Sequence, residues 1–213
     1  MLLKRQNVPW LSVYLVGQMV LVLGLILGLP TTPEAAWNAL TLDWTKTGMG
    51  LGVGLLAIVA AAFPTADLKA AMVFLRCRNP LPGSRSFSEL AQDEPRVDLA
   101  TLREHHEIPT APKEQNLLWY RIYQRHQEKD AVRSGHLDYL LFRDLTAVTA
   151  LFTTLGAAAV VGASGLTTGL SYFAGLGATF LLIRWIAARK GERFVTTVLA
   201  CESAELGAQE PDA

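Results

Sequence analysis

The residue types that could do chemistry in this chain are concentrated between positions 67 and 144, which hold all four histidines: His105, His106, His126 and His136. The first two are flanked by Glu104 and Glu107, and imidazole with carboxylate is a donor set that transition metals accept. Adjacent helical residues point about 100° apart, however. The H-E-x-x-H spacing that places two imidazoles on one helical face does not occur in the sequence. We therefore expect no metal site and no cofactor.

A second chemical pattern is R-x-x-x-x-H, formed by Arg121 and His126 on one predicted helix. It resembles the short motif of HEPN ribonucleases, in which an arginine and a histidine of one helix act on the RNA phosphate. The resemblance covers six residues and implies a dimer that pairs two such motifs. It makes Arg121 and His126 the catalytic candidates of an alternative function, membrane-tethered RNA cleavage.

The stretch GASG, Gly162 to Gly165, resembles the G-x-S-G serine motif of rhomboid intramembrane proteases. Such an enzyme needs a histidine in a later membrane crossing, and no histidine follows His136 in the sequence. We interpret Ser164 as a residue of a tight turn between two helices.

The glycines around position 50 can be read in two ways. Gly52-x-Gly54-x-x-Ala57 outlines a dinucleotide-binding turn, but the polar segment before it is no buried strand. Residues 47–66 carry no charge, and as a helix they would span about 30 Å, the thickness of the hydrocarbon layer. The same glycines form two G-x-x-x-G pairs, Gly48/Gly52 and Gly50/Gly54, which favour close helix packing in lipid.

Similar uncharged stretches predict an all-α, polytopic membrane protein, a bundle of four transmembrane helices at 8–29, 47–66, 145–163 and 168–187. The first hairpin would occupy residues 1–66 and the second 145–187. Residues 67–144 would form a small helical cytoplasmic domain, joined by a helix extension and tail at 188–213. The basic residues near the predicted membrane ends place both termini and the 67–144 segment in the cytoplasm of a bacterial inner membrane.

Within the cytoplasmic segment, the sequence predicts a capping box at Thr101–Glu104, starting a helix that ends near Glu107. A longer helix would begin at Pro112 and end near Lys129. Its apolar faces are predicted to be Leu118, Ile122 and His126 on one side and Leu117, Tyr120 and Gln124 on the other. A third helix should begin near Ala131 and continue into crossing three, and crossing four should continue past Phe194 and Val198.

Small and hydroxyl-bearing residues in the crossings are candidates for helix packing or for lining a narrow pore. They are Gly48, Gly50, Gly52, Gly54, Thr146, Thr149, Thr153, Gly156, Ser171 and Gly175. Arg184, near the cytoplasmic end of the crossing 168–187, is the only charged residue within the four predicted crossings, which argues against ion-coupled transport.

Two groups of charged residues at the predicted interface are candidate functional residues. Arg76, Arg78 and Arg85 lie beside a proline-rich turn, where they could contact an anionic ligand or a lipid headgroup. Arg143, Asp144 and Arg184 lie where the last two crossings meet the cytoplasm, and could couple the two layers or serve as plain membrane anchors.

The sequence therefore favours a non-enzymatic, homo-oligomeric membrane effector whose cytoplasmic helices receive a signal and whose bundle changes packing or permeability. The alternatives are the HEPN-like ribonuclease and a scaffold that recruits a soluble partner protein. Small multi-crossing proteins of this design serve as membrane-acting arms of bacterial antiviral systems, which suggests defence by analogy. The lipid bilayer is the expected partner, and the zero net charge gives no nucleic-acid signal.

Overall fold

The structure is a computed structural model that describes residues 6–28 and 65–208, and every regular element within those ranges is helical. We number the α-helices in chain order: α1 Val8–Leu27, α2 Ala66–Phe74, α3 Leu99–His105, α4 Pro112–His126, α5 Asp130–Leu151, α6 Ala157–Ser164 and α7 Leu166–Ala208. A 3₁₀ turn at Pro82–Arg85 runs directly into a π-helical turn at Ser86–Leu90. A second π-helical turn, Phe152–Gly156, joins α5 to α6.

Within residues 6–28 and 65–208, three helical stretches are long and apolar enough to cross a membrane: Val8–Leu27, Asp130–Ser164 and Leu166–Ala208. They contain the predicted crossings 145–163 and 168–187 and residues 8–27 of the predicted crossing 8–29. The predicted crossing at 47–66, with its four glycines, lies outside the described residues. The structure thus supports a helical membrane protein with three candidate spans.

The chain divides into two compact units. The first contains Met1–Thr65 and Arg143–Arg184, and the second contains Ala66–Phe142 and Trp185–Ala213. By these bounds α5 and α7 each supply residues to both units. The prediction that both helices continue beyond their apolar stretches is confirmed, because α7 runs unbroken for 43 residues.

In the first unit, α1 packs against α6 around Val22, Ile26, Phe152 and Val160. Two polar contacts fasten the helices together. The Tyr14 hydroxyl lies 2.8 Å from the Thr149 hydroxyl, and Ser164 Oγ donates to the Leu25 carbonyl at 2.7 Å. Gly165 alone separates α6 from α7, with a φ of +89° that side-chain-bearing residues rarely adopt. The predicted tight turn is confirmed.

In the second unit, α4 and α7 hold most of the core. Phe194 packs edge-on against Trp119 and Tyr123 and stacks on His136, with ring centroids 4.9–5.6 Å apart. The Trp119 indole also donates to the Val195 carbonyl at 3.3 Å. This aromatic cluster fixes the separation of the two helices.

Several predicted boundaries and faces in this unit are wrong. Helix α3 begins two residues before Thr101, because the Asp98 carboxylate caps it by accepting from the backbone amides of Ala100 and Thr101. It ends at His105, not near Glu107, and α4 ends at His126.

The buried face of α4 agrees with one of the two predicted faces. Ile122 and His126 are buried as predicted, and Leu118 is partly buried against the core. Gln115, Trp119 and Tyr123 widen this face beyond the predicted stripe. The second predicted face is wrong, because its members are exposed: Leu117, Tyr120 and Gln124.

Candidate functional site

The most constrained part of the second unit is the segment 82–90, which contains both the 3₁₀ and the first π-helical turn. Its residues 82–87 are all buried, although three of them carry polar side chains. Gly83 makes this possible, since a Cβ at this position would lie 2.5 Å from Asn116 Oδ1 and 2.9 Å from Trp119 Cε3. The segment therefore lies directly on α4.

Gln115 holds the segment in place through its buried side-chain amide. Its Oε1 accepts from the backbone amides of Phe87 and Ser88 and from the Ser88 hydroxyl, at 3.2–3.3 Å. Its Nε2 donates to the Thr110 carbonyl at 3.3 Å. A π-helical turn leaves amides without regular partners, and here a single glutamine satisfies two of them.

This segment presents Arg85, which is only 6% exposed. Its guanidinium carbon lies 4.8 Å from the centroid of the Phe74 ring. Nη2 donates to Glu192 Oε1 at 3.1 Å, and Nε lies 3.4 Å from Glu89 Oε2. Nη1 is buried and has no hydrogen-bond partner among the described residues. An arginine that is buried and only partly paired is costly to keep for stability alone.

Arg85 lines a cavity of about 740 Å³, which we call the arginine cavity. Five arginines contribute to its lining: Arg76, Arg85, Arg96, Arg189 and Arg193. Four carboxylates do so as well: Glu89, Asp93, Glu94 and Glu192. Helix α7 supplies two of the arginines and one of the carboxylates.

The ion pairs of this cavity differ in the distance between their charged atoms. Arg96 and Glu94 form a two-point pair at 2.8 and 2.9 Å, the usual range for charge-assisted hydrogen bonds. These bonds lower the pKa of the Glu94 carboxyl to about 2. Thr196 Oγ1 adds a donor to the same carboxylate at 3.1 Å. We therefore treat the Arg96–Glu94 pair as closed, with both charges satisfied by each other.

The remaining pairs are longer. Arg76 lies 3.5 Å from Glu89, and Arg189 lies 3.8 Å from Glu192. Both carboxylates also pair with Arg85. The Arg193 guanidinium has no ion-pair partner anywhere in the described ranges. Arginine is therefore in excess over the carboxylates that contact it.

Of the three arginines predicted to bind an anion, Arg76 and Arg85 line this cavity together, and Arg78 does not. Arg96, Arg189 and Arg193 were not singled out as ligands by the sequence. They are distant in the chain from Arg76 and Arg85, and no local spacing connects them. The only sequence signal for Arg189 and Arg193 was the group of basic residues after the predicted crossing 168–187.

A second charged cluster surrounds Glu202, which is buried on α7. His106 Nε2 and Arg125 Nη1 lie 2.8 and 3.0 Å from its Oε1, and His126 Nε2 lies 2.5 Å from its Oε2. The cluster joins α7 to α4 and to the end of α3. No group of histidine, cysteine and carboxylate suited to a metal ion occurs within residues 6–28 and 65–208.

The structure does not bring the alternative catalytic pair together. Arg121 is exposed, whereas His126 is 3% exposed and bonded to Glu202. Five residues apart on one helix, the two side chains point about 140° apart.

In the first unit, the predicted packing or pore residues fall into two groups. Thr146, Thr149, Thr153 and Gly156 are all buried. The hydroxyls of Thr149 and Thr153 donate to carbonyls one turn earlier, at 2.7 and 2.8 Å. The stripe is therefore buried within the first unit.

The other predicted residues of the first unit differ in burial. Ser171 and Gly175 are exposed on α7. Arg143 Nη2 pairs with Asp144 Oδ1 at 3.1 Å, and Arg184 is half-buried.

Comparison of the chain with protein-family models, with curated proteins and with solved structures gives no match.

Proposed function

We propose that this chain is a multi-pass membrane protein whose second unit receives an anionic signal in the cytoplasm and whose apolar helices respond by changing their packing or permeability. It would act in the bacterial inner membrane as a homo-oligomer, without enzymatic activity of its own. The lipid bilayer is then its first partner.

The single observation that carries this proposal is the make-up of α7. The helix contains an apolar stretch long enough to cross a membrane, and it also supplies Arg189, Glu192 and Arg193 to the arginine cavity. A continuous helix transmits a change at one position to the rest of its length, because its hydrogen-bonded backbone is stiff. A ligand in the cavity therefore acts on an element that is itself a candidate span.

The Arg85–Glu192 ion pair is the contact that a signal would change. It ties the 82–90 segment, fixed on α4 by Gln115, to α7 at 3.1 Å. Beside it, Gly191 lets Phe74 and Tyr139 approach so closely that a Cβ would lie 2.9 Å from each ring. Breaking the pair would release α7 at a tightly packed position.

The test is dye release from liposomes that contain the purified protein. Glu192→Gln removes the carboxylate and imitates the release of α7, so we expect dye release to rise about tenfold over wild type. Glu104→Gln is the matched control, since Glu104 is exposed and has no ion pair among the described residues. Circular dichroism must show that both variants remain folded.

If Glu192→Gln is folded and releases dye no faster than wild type, the effector function is wrong. The scaffold would then be the better hypothesis, and one observation favours it. Leu117 and Tyr120 lie one turn apart on α4 and are 51% and 47% exposed, a small apolar surface that a soluble partner protein could cover.

A further inference from the structure

The arginine cavity has the chemistry of a site for a phosphate-bearing ligand. We infer that it binds a phosphomonoester or diphosphate group, held by Arg85 and Arg193 with Arg76 and Arg189 beside them. This deepens the proposed function, because it names the class of signal for the same site.

The charge balance supports an anionic ligand. The cavity is lined by five arginines and four carboxylates, which leaves one positive charge in excess. Apart from the closed Arg96–Glu94 pair, the described carboxylates that contact the remaining four arginines are Glu89 and Glu192. Asp93 is exposed and has no ion pair with a described arginine. A phosphomonoester carries about −1.5 to −2 charges at neutral pH, enough to neutralise this excess.

The hydrogen-bond geometry supports an oxygen-rich anion. Arg85 Nη1 is a buried donor without an acceptor in the described ranges, and the pairs of Arg76 and Arg189 are 3.5 and 3.8 Å long. Charge-assisted bonds to phosphate are about 2.7–2.9 Å. A phosphate has enough oxygens to serve several guanidinium groups at once, whereas one carboxylate has two.

The cavity is also larger than the anion itself. Its volume of about 740 Å³ lies within the range of sites for small organic ligands, which is about 300–1,000 Å³. The rest of the ligand would be either a soluble organic group or the glycerol of a lipid headgroup. Both carry the same phosphomonoester chemistry.

Competition for Arg85 connects binding to the proposed response. A phosphate that accepts from Arg85 Nη1 lies beside Glu192, and the repulsion between the two anions opposes the hydrogen bond from Arg85 Nη2 to Glu192. The ion pair between the 82–90 segment and α7 is then weakened. Binding of the phosphate thus releases α7 from the 82–90 segment.

The experiment uses the full chain in phosphatidylcholine nanodiscs and titrates glycerol 3-phosphate by calorimetry, up to about 10 mM. A parallel sample contains about 10% phosphatidic acid, which carries the same headgroup in a lipid. The variants are Arg193→Gln and Arg85→Gln, and Arg133→Gln is the control because Arg133 is exposed and does not line this cavity. Arg193 has no ion-pair partner among the described residues, so its variant should fold even if the Arg85 variant does not.

We expect saturable binding that Arg193→Gln weakens about tenfold and Arg133→Gln leaves unchanged. If phosphatidic acid abolishes the heat of the soluble probe, the natural ligand is a lipid headgroup; if it does not, the ligand is soluble. Absence of binding in both samples, or binding that Arg193→Gln does not weaken, overturns the inference. The dye-release result for Glu192→Gln does not depend on this outcome. Calorimetry can contradict the phosphate ligand while dye release supports the effector function, and dye release can contradict the function while calorimetry supports the ligand.

Discussion

The Nε2 atom of His126 lies 2.5 Å from Oε2 of Glu202, although the two residues are 76 positions apart in the sequence. Both side chains are buried, and His126 Nδ1 lies 3.7 Å from the Glu205 carboxylate. Both nitrogens of the imidazole thus face carboxylates. The contact holds the last turns of α7 against α4.

Replacing this carboxylate should destabilise the second unit. Glu202→Gln leaves Arg125, His106 and His126 without their shared anion, and loss of one member of a buried ion pair costs about 3 kcal/mol. Chemical unfolding of the purified chain in detergent measures the loss. Glu205→Gln is the control, because Glu205 is about half exposed and its pairs are worth less than about 1 kcal/mol. Equal effects of the two variants would contradict a structural role for Glu202.

We expect no RNA cleavage by the purified protein. His126 is engaged by Glu202, and Arg121 is exposed about 140° away around the helix. Arg121→Ala should change the free energy of unfolding by no more than about 0.5 kcal/mol. A fluorescently labelled single-stranded RNA provides the assay. Cleavage by wild type that disappears in both Arg121→Ala and His126→Ala would instead establish the ribonuclease.

Stability should fall in acid partly through Glu94. Its pKa is about 2 in the folded chain, against an ordinary value of 4.5. A lowered pKa means that the Arg96–Glu94 pair stabilises the fold above pH 4.5, and that this contribution is lost as the pH falls towards 2. Melting temperatures measured across this interval should decline less steeply for Glu94→Gln than for wild type. Parallel declines would show that the pair contributes nothing.

Cysteine labelling tests the predicted orientation. Cys77 is exposed and Cys201 is half-buried, so a maleimide should modify Cys77 faster. An impermeant maleimide should label neither cysteine on intact cells and should label Cys77 once the membrane is opened, because residues 67–144 are predicted to be cytoplasmic. Cys77→Ser identifies the labelled position. Labelling of Cys77 on intact cells would reverse the topology.

The candidate spans could be predicted because a long charge-free run is a local signal that the bilayer imposes on its own. The start of α3 could not be fixed in the same way. Asp98 and Thr101 are both acceptable caps, and their choice depends on which backbone amides the side chain reaches. The structure selects Asp98, and Thr101 Oγ1 donates to it at 2.9 Å.

The candidate site was predicted only in part for a different reason. A row of arginines beside a turn predicts an anion site, and two of these arginines, Arg76 and Arg85, line the arginine cavity. Glu192, which pairs with Arg85, lies 107 positions away from it, and nothing in the local sequence of either residue indicates the other. Burial of the 82–90 segment could not be predicted either, because its proline, glycine and serines are typical of an exposed loop.

The side chain of Gln115 both accepts from the 82–90 segment and donates to Thr110. Glutamate would lose the donor, lysine would lose the acceptor, and asparagine is one methylene shorter. We therefore expect position 115 to tolerate fewer substitutions than the exposed positions of Arg76 and Arg189. A related protein that has the same 82–90 segment is expected to keep the side-chain amide of Gln115, even if it binds a different ligand.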